Sequence, residues 1–205
     1  MMLRLYLASA SPRRHDILTQ LNIAHDVLLV PSPDGEDEPV RPNEHPKDYA
    51  QRTTAEKLQR AVQWIQDQGL NSHWPVLCAD TCVALDTEVL GKPQSTQEAE
   101  YFLSRLSGRK HWVYTAQALS YQGKQYTSLG INEVFFRPLS AHEIQAYCAT
   151  GEPFGKAGGY GIQGQASYFI TRLNGRYSSV MGLDVYDLYQ LLEQAGLQHL
   201  CLKPA

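Results

Sequence analysis

The chain has 205 residues, 43% of them hydrophobic and 19% charged, with 18 Lys and Arg against 21 Asp and Glu for a formal net charge of -3. This composition excludes disorder as the main state, and its slightly acidic balance without a basic run disfavours non-specific binding to nucleic acid. No apolar run approaches the roughly 18 residues a membrane helix needs, and the length suits one core, so a single domain over 1–205 is expected.

The N-terminal MMLRLYLASA imitates a secretion signal, with Ala8-Ser9-Ala10 as a mock cleavage site, but its apolar stretch is too short. It reads instead as a buried strand from Leu5 to Ala8. Ser11-Pro12 then opens a helix to about Leu21, with Ser as N-cap and Pro in the first turn. A strand is expected around His25 to Val30, followed by the Pro-rich acidic loop PSPDGEDEPVRPNEHP, too long to be a mere connection. Helical periodicity covers Pro46 to about Gln68, and Pro75 to Ala79 is a short apolar run of the kind found at the centre of a sheet. A hairpin-like CVALDTEVLG comes next.

Ser95 with Glu98 and Ser140 with Glu143 have capping-box spacing, for helices to about Leu106 and Cys148. Between them, alternation in HWVYTAQALSYQGKQY and INEVFFRPL predicts antiparallel strands. A strand from Tyr168 to Leu173 and an amphipathic helix from about Asp184 to Gln194 complete the chain. The order of elements predicts one α/β fold around a mixed sheet. Cys78, Cys82, Cys148 and Cys201 form no CxxC pair and fit a reducing cytoplasm. The seven histidines lack metal-ligand spacing, so a Cys/His zinc site is not expected. His111 and Trp112 are expected to pack in the core.

Five constellations could carry chemistry. Ser9-Ala10-Ser11-Pro12-Arg13-Arg14 puts two arginines beside the positive end of a helix, a placement that an anion such as a phosphate chain would make favourable; two solvated arginines are the plainer alternative. Lys57 falls on the small-residue side of its helix with Ala50, Thr53, Thr54 and Ala61, and should point inward or snorkel. Asp80 stands in the apolar decamer VLCADTCVAL where a buried strand is expected to end, so it must meet a metal, a lysine or several donors; capping of a turn is the competing account. Gly91-Lys92-Pro93 adds a cation at a turn. The segment from Gly155 to Gly164 packs five glycines into ten residues around Lys156 and Gln163, as a ligand-hugging loop or a plain surface loop would.

Taken in this order, SASPRR, ADTCV, GKP, SGRKHWVYT and GKAGGYGIQG resemble the Maf family of nucleoside triphosphate pyrophosphatases, from Leu5 to about Leu192, and the ADT threonine with the GIQG glutamine resembles its dTTP/UTP branch. The resemblance implies a mixed twisted sheet flanked by helices, similar to inosine triphosphatases, often dimeric, and an activity that needs Mg²⁺ or Mn²⁺. Position by position it implies Asp80 as general base, Ser9, Arg13, Arg14, Lys57 and Lys92 along the triphosphate, and Arg14, Thr81 and Gln163 in choosing the base. Glu38, with Glu36 as its near alternative, and Asp80 would hold the metal. Two positions depart from the family pattern: Gly155 where many members carry Asp, and Leu183-Asp184-Val185 in place of Leu-Pro-Leu, where Asp184 should cap the last helix.

The reaction expected is hydrolysis of dTTP and UTP, and of modified pyrimidine triphosphates through the same pocket, to the monophosphate and pyrophosphate. A nucleotide- or nucleic-acid-binding regulator of cell division and a plain phosphate-binding domain are the competing readings.

Overall fold

Short apolar runs and long alternating ones build different halves of one sheet. The computed structural model describes residues 3–31 and 38–201. In chain order the elements are β1 (Leu5–Leu7), α1 (Pro12–Gln20), β2 (His25–Val27), α2 (Pro46–Asp67), β3 (Val76–Leu85), β4 (Glu88–Leu90), α3 (Thr96–Leu106), β5 (Lys110–Tyr121), β6 (Lys124–Phe136), α4 (Ala141–Ala149), β7 (Ile170–Asn174), α5 (Tyr177–Met181) and α6 (Val185–Gln194). The strands form a seven-stranded mixed sheet in the order β2-β1-β3-β5-β6-β7, with β4 paired to β3. Pairs β1–β2 and β1–β3 are parallel, as crossover helices require; β3–β4 and β5–β6 are antiparallel hairpins, and β3–β5 and β6–β7 are antiparallel with α3 and α4 in their connections.

Pleating sends alternate residues of β3 to opposite faces. Val76 and Cys78 pack with Leu58, Ala61 and Ile65 of α2, whereas Leu77 and Ala79 pack with Leu18 of α1 and Leu188, Leu191 and Leu192 of α6. A third cluster joins Leu85 and Leu90 to α3 and α4 through Phe102, Leu103, Ile144 and Tyr147. Burial of each such leucine contributes about 1.5–3 kcal/mol relative to exposure. Each helix therefore clamps a defined stretch of β3.

Several expected boundaries move, each for a local reason. The second strand stops at Val27, because it borders only β1, itself three residues long. The apolar run from Pro75 continues through Asp80 to Leu85, since β5 pairs with it residue by residue from Val76 to Ala84. Asp80 thus lies in mid-strand opposite Ala116, and not at a strand's end as expected. Residues Gln165–Phe169 form a 3-10 turn, so the last strand begins at Ile170 and Tyr168 is left exposed. The short helix α5 has no sequence signal that we identified.

Capping follows the sequence in part. Ser140 and Glu143 make the full reciprocal box. Ser95 accepts from Glu98 N–H, but the Glu98 carboxylate turns to Gln94 N–H instead of completing its box. Ser11 makes no side-chain cap; Ser9 Oγ accepts from its N–H instead. Asp184 does cap α6, accepting from Asp187 N–H, and also pairs with Arg176 at 3.0 Å.

Where α5 crosses β6, Gly130 leaves no room for a side chain: a Cβ there would collide with Ser179 Oγ and lie 2.9 Å from Asp184 Oδ2, both residues fully buried. Gly130→Ala is expected to cost about 1–3 kcal/mol by overpacking, read as a lower urea midpoint. An unchanged midpoint would mean that α5 can shift away from the sheet.

Candidate active site

Loops after β1 and after α4, the start of α1, one side of α2 and the middle of β3 enclose a cleft of about 560 Å³. That is a ligand-sized cavity, since pockets for small molecules run roughly 300–1,000 Å³. Ser9, Arg13, Arg14, Lys57, Asp80, Thr81, Lys92 and Gln163 all open onto it. Residues from every one of the five constellations therefore share one cavity. Glu38 reaches this group through Lys57, and Glu36 lies outside the described residues.

Asp80 faces α2 because the pleat turns it that way. Its Oδ1 accepts from Lys57 Nζ at 2.9 Å and its Oδ2 from Thr53 Oγ at 2.6 Å. The same Lys57 Nζ is 2.7 Å from Glu38 Oε1, and Arg60 Nη2 stands 3.8 Å from that oxygen. Burial alone would raise the Asp80 pKa, but the charges of Lys57 and Arg14 and the hydrogen bonds from Thr53 and Lys57 outweigh it and hold the carboxyl below its usual range. Asp80 is ionised in the folded protein.

Thr81, the next residue, points to the opposite face, where α1 and α5 meet it. Arg14 is buried, donating from Nε to Gly182 O at 2.7 Å, from Nη1 to Ser9 Oγ at 3.0 Å and from Nη2 to Thr81 Oγ at 3.3 Å. Thr115 Oγ lies 2.7 Å from Ser179 O, a carbonyl that only accepts, so the single Thr115 hydrogen goes there. Thr81 must then donate to Thr115 Oγ, 3.0 Å away, and accept from Arg14. Burial lowers the Arg14 pKa while Asp80 opposes that shift, and the guanidinium keeps its charge. Arg13 is also lowered by burial.

The glycine-rich loop is seated by close backbone approach. Gly158 has φ +67°, donates its N–H to Gly91 O at 2.9 Å, and sits where a Cβ would come within 2.8 Å of Val83. Glu152 braces the loop by accepting from Tyr147 OH and Gln165 N–H, both at 3.0 Å. Tyr160 is 2.7 Å from buried His111, which burial pushes down to a pKa of about 3, so the imidazole is neutral. The expected core placement holds for His111, whereas Trp112 is half-buried.

Sequence reasoning assigned no role to Lys156, Arg60 or Thr53. Lys156 and Arg60 line the cleft, and Thr53 binds Asp80 directly. Signals existed for two of them: Arg60 follows Lys57 by three residues, on the same helix face, and Lys156 lies within the loop already singled out. Thr53 was hidden among small inward residues.

A family model described as Maf-like protein matches residues 4–195. The chain belongs to the Maf family. Curated relatives named dTTP/UTP pyrophosphatase include one from Bordetella avium, 50% identical over 194 residues and covering 95% of this chain and 96% of that protein. Another, from Bordetella pertussis, is 49% identical over 95% of this chain and 93% of that protein. One from Neisseria gonorrhoeae is 45% identical, covering 94% of both chains. Among solved structures, a nucleoside-triphosphatase / dITP/XTP pyrophosphatase from Mycobacterium abscessus is similar over 95% of this chain and 98% of that one, with a TM-score of 0.41 and 15% identity.

In this Maf protein the donor chemistry fits a hard divalent ion. Two carboxylates, Asp80 and Glu38, converge on a single cationic nitrogen within 2.9 Å. Mg²⁺ and Mn²⁺ suit such a pair of oxygen ligands, because Mg²⁺ is typically held by one or two carboxylates with waters and substrate phosphate oxygens. Among the described residues no group of three or more His, Cys, Asp or Glu gathers, and Gly155 supplies no carboxylate.

Because the Asp80 pKa is depressed on folding, its contribution to stability is present above its unfolded value, about 3.9, and lost as pH falls through the folded value. In metal-free protein, Lys57→Met leaves the two carboxylates without their shared ammonium and is expected to cost up to about 3 kcal/mol at pH 7. Protonation relieves that repulsion, so the deficit should shrink in acid. Urea unfolding from pH 7 to 4 measures it; parallel profiles for the two proteins would contradict the shared-ammonium account.

Proposed function

We propose that this protein hydrolyses dTTP and UTP to the monophosphate and pyrophosphate, and accepts modified pyrimidine triphosphates in the same cleft. The observation that carries the reading is one cavity lined by Arg13, Arg14, Lys57, Arg60, Lys92 and Lys156 together with the ionised Asp80. Six cations in one cleft with this acid suit a polyanion whose reacting phosphorus meets a base. The names of the relatives agree with it.

The reaction breaks the bond between the α-phosphorus and the oxygen that bridges to the β-phosphate. Water adds to the α-phosphorus, its proton passes to Asp80, and pyrophosphate departs. Arg13, Lys92 and Lys156 stabilise the charge that builds on the leaving group, and the first turn of α1 adds backbone N–H donors to the phosphates. Asp80 and Glu38 would hold Mg²⁺ or Mn²⁺, which when bound supplies charge neutralisation and a more acidic water. A carboxylate with a lowered pKa is a weak base, so acidification of the water matters here. Thr53 and Lys57 fix the direction of the Asp80 carboxylate.

Gln163 is exposed in the cleft, and its amide can meet the N3–H and a flanking carbonyl of uracil or thymine. Arg14 acts on the base through Thr81, which it orients. The 5-methyl group separates thymine from uracil by shape alone, so both bases are accepted.

Asp80→Asn is expected to lower kcat for UTP by about 10²-fold or more, with KM changed far less. Pyrophosphate release with Mn²⁺ measures this, and near-normal turnover would reject Asp80 as base. Gln163→Ala should lower kcat/KM for UTP about tenfold or more, while its preference for UTP over CTP changes far less, because an amide can turn to meet either base. No turnover of either dTTP or UTP by folded wild-type protein would overturn the substrate assignment.

A further inference from the structure

Outside the described cleft, the fold brings together two histidines that stand ten residues apart in the chain. His15 projects from α1 and His25 opens β2, and His15 Nδ1 lies 2.8 Å from His25 Nε2. The rings meet edge-on, with planes at 62° and centroids 4.9 Å apart. Their tautomers follow from a neighbour. His25 Nδ1 is 2.7 Å from Ile23 O, a carbonyl that only accepts, so Nδ1 carries the hydrogen and neutral His25 turns the Nε2 lone pair toward His15. His15 Nδ1 supplies the hydrogen that the rings share. A histidine whose outer nitrogen donates to a backbone carbonyl while the inner one offers a lone pair is already arranged as a metal ligand, because the outer bond fixes tautomer and ring orientation.

We propose that His15 and His25 form a two-imidazole site for a borderline transition-metal ion, Zn²⁺ in the first instance, with water completing its shell. Tetrahedral zinc with Zn–N bonds of about 2.0–2.1 Å sets two ligating nitrogens about 3.3 Å apart. The facing nitrogens need to part by about half an ångström, which the exposed His15 ring can supply by turning. On binding, His15 Nδ1 gives its hydrogen to solvent and Nε2 carries the ring hydrogen, so that His15 ligates as a neutral imidazole.

Imidazole donors separate this site from the oxygen pair Asp80 and Glu38, which suits harder ions. A bound ion would tie α1, which carries Arg13 and Arg14, to the edge strand β2, which leads into the Leu28–Val30 wall of the cleft. Its effect is to stabilise the folded chain, as does any ligand that binds the folded state alone.

Calorimetric titration with Zn²⁺, in excess Mg²⁺ to occupy the carboxylates, and melting temperatures with and without Zn²⁺ test the proposal on wild type, His15→Ala, His25→Ala and the double variant. Wild type should bind one more equivalent of Zn²⁺ than the double variant, and each single substitution should weaken that binding about tenfold or more. Zn²⁺ should raise the wild-type melting temperature and leave that of the double variant unchanged. Equal stoichiometry and affinity in wild type and His15→Ala, or no Zn²⁺ bound by wild type, would overturn the proposal. Should His25→Ala fail to fold, the exposed His15→Ala substitution decides alone.

Discussion

A single ammonium group, Lys57 Nζ, holds together the two carboxylates on which the cleft is organised. Asp80 comes from the middle of the sheet and Glu38 from the connection before α2, and neither charge could be carried at this depth without a cation between them. The third anchor is α2 itself, whose small inward residues Ala50, Thr53 and Ala61 let the helix lie close enough to β3 for a lysine stem to reach across. Register of β3, helix approach and local charge balance are therefore one constraint. A chain that folds with Asp80 in this position has assembled the centre of its cleft at the same time.

Much of this was legible in the linear chain because the relevant signals are local. Helix periodicity turned Lys57 inward, the apolar decamer marked Asp80 as needing a partner, and caps at Ser140 and Asp184 stood where the boundaries fall. What stayed hidden depends on pairing between distant segments. The end of the apolar run at Ala79 looked like a strand terminus, yet β5 carries the ladder through Asp80 to Ala84. Thr53 could not be told from Thr54 by periodicity, since both are buried on the same side of α2, and the alignment of β3 against the helix decides which one meets the acid. The family resemblance pointed to Glu38, with Glu36 as its alternative, but not to the lysine that Glu38 shares with Asp80.

The two faces of β3 divide the chemistry between consecutive residues. On one face Asp80 is set by α2; on the other Thr81 is set by α1 and by the loop after α5. Because one strand carries both, the distance between the acidic centre and the wall beside Arg14 is fixed by backbone geometry and not by side-chain rotamers. The glycine-rich loop closes the cleft from a third direction, seated on Val83 of that same strand through Gly158. One strand thereby serves as the common ruler for acid, wall and loop.

The hydrogens between Arg14 and α5 run one way: from the guanidinium to Thr81, from Thr81 to Thr115, and from Thr115 to the carbonyl of Ser179. A hydroxyl normally can turn its hydrogen toward whatever arrives, but Thr81 has spent its hydrogen inward and keeps a lone pair for the cleft. Any visitor that touches its oxygen must bring a hydrogen of its own. The wall behaves there as a one-way valve for hydrogen-bond polarity, set by a backbone carbonyl three residues deep in the protein, and an imino group is welcome where a bare ring nitrogen is turned away.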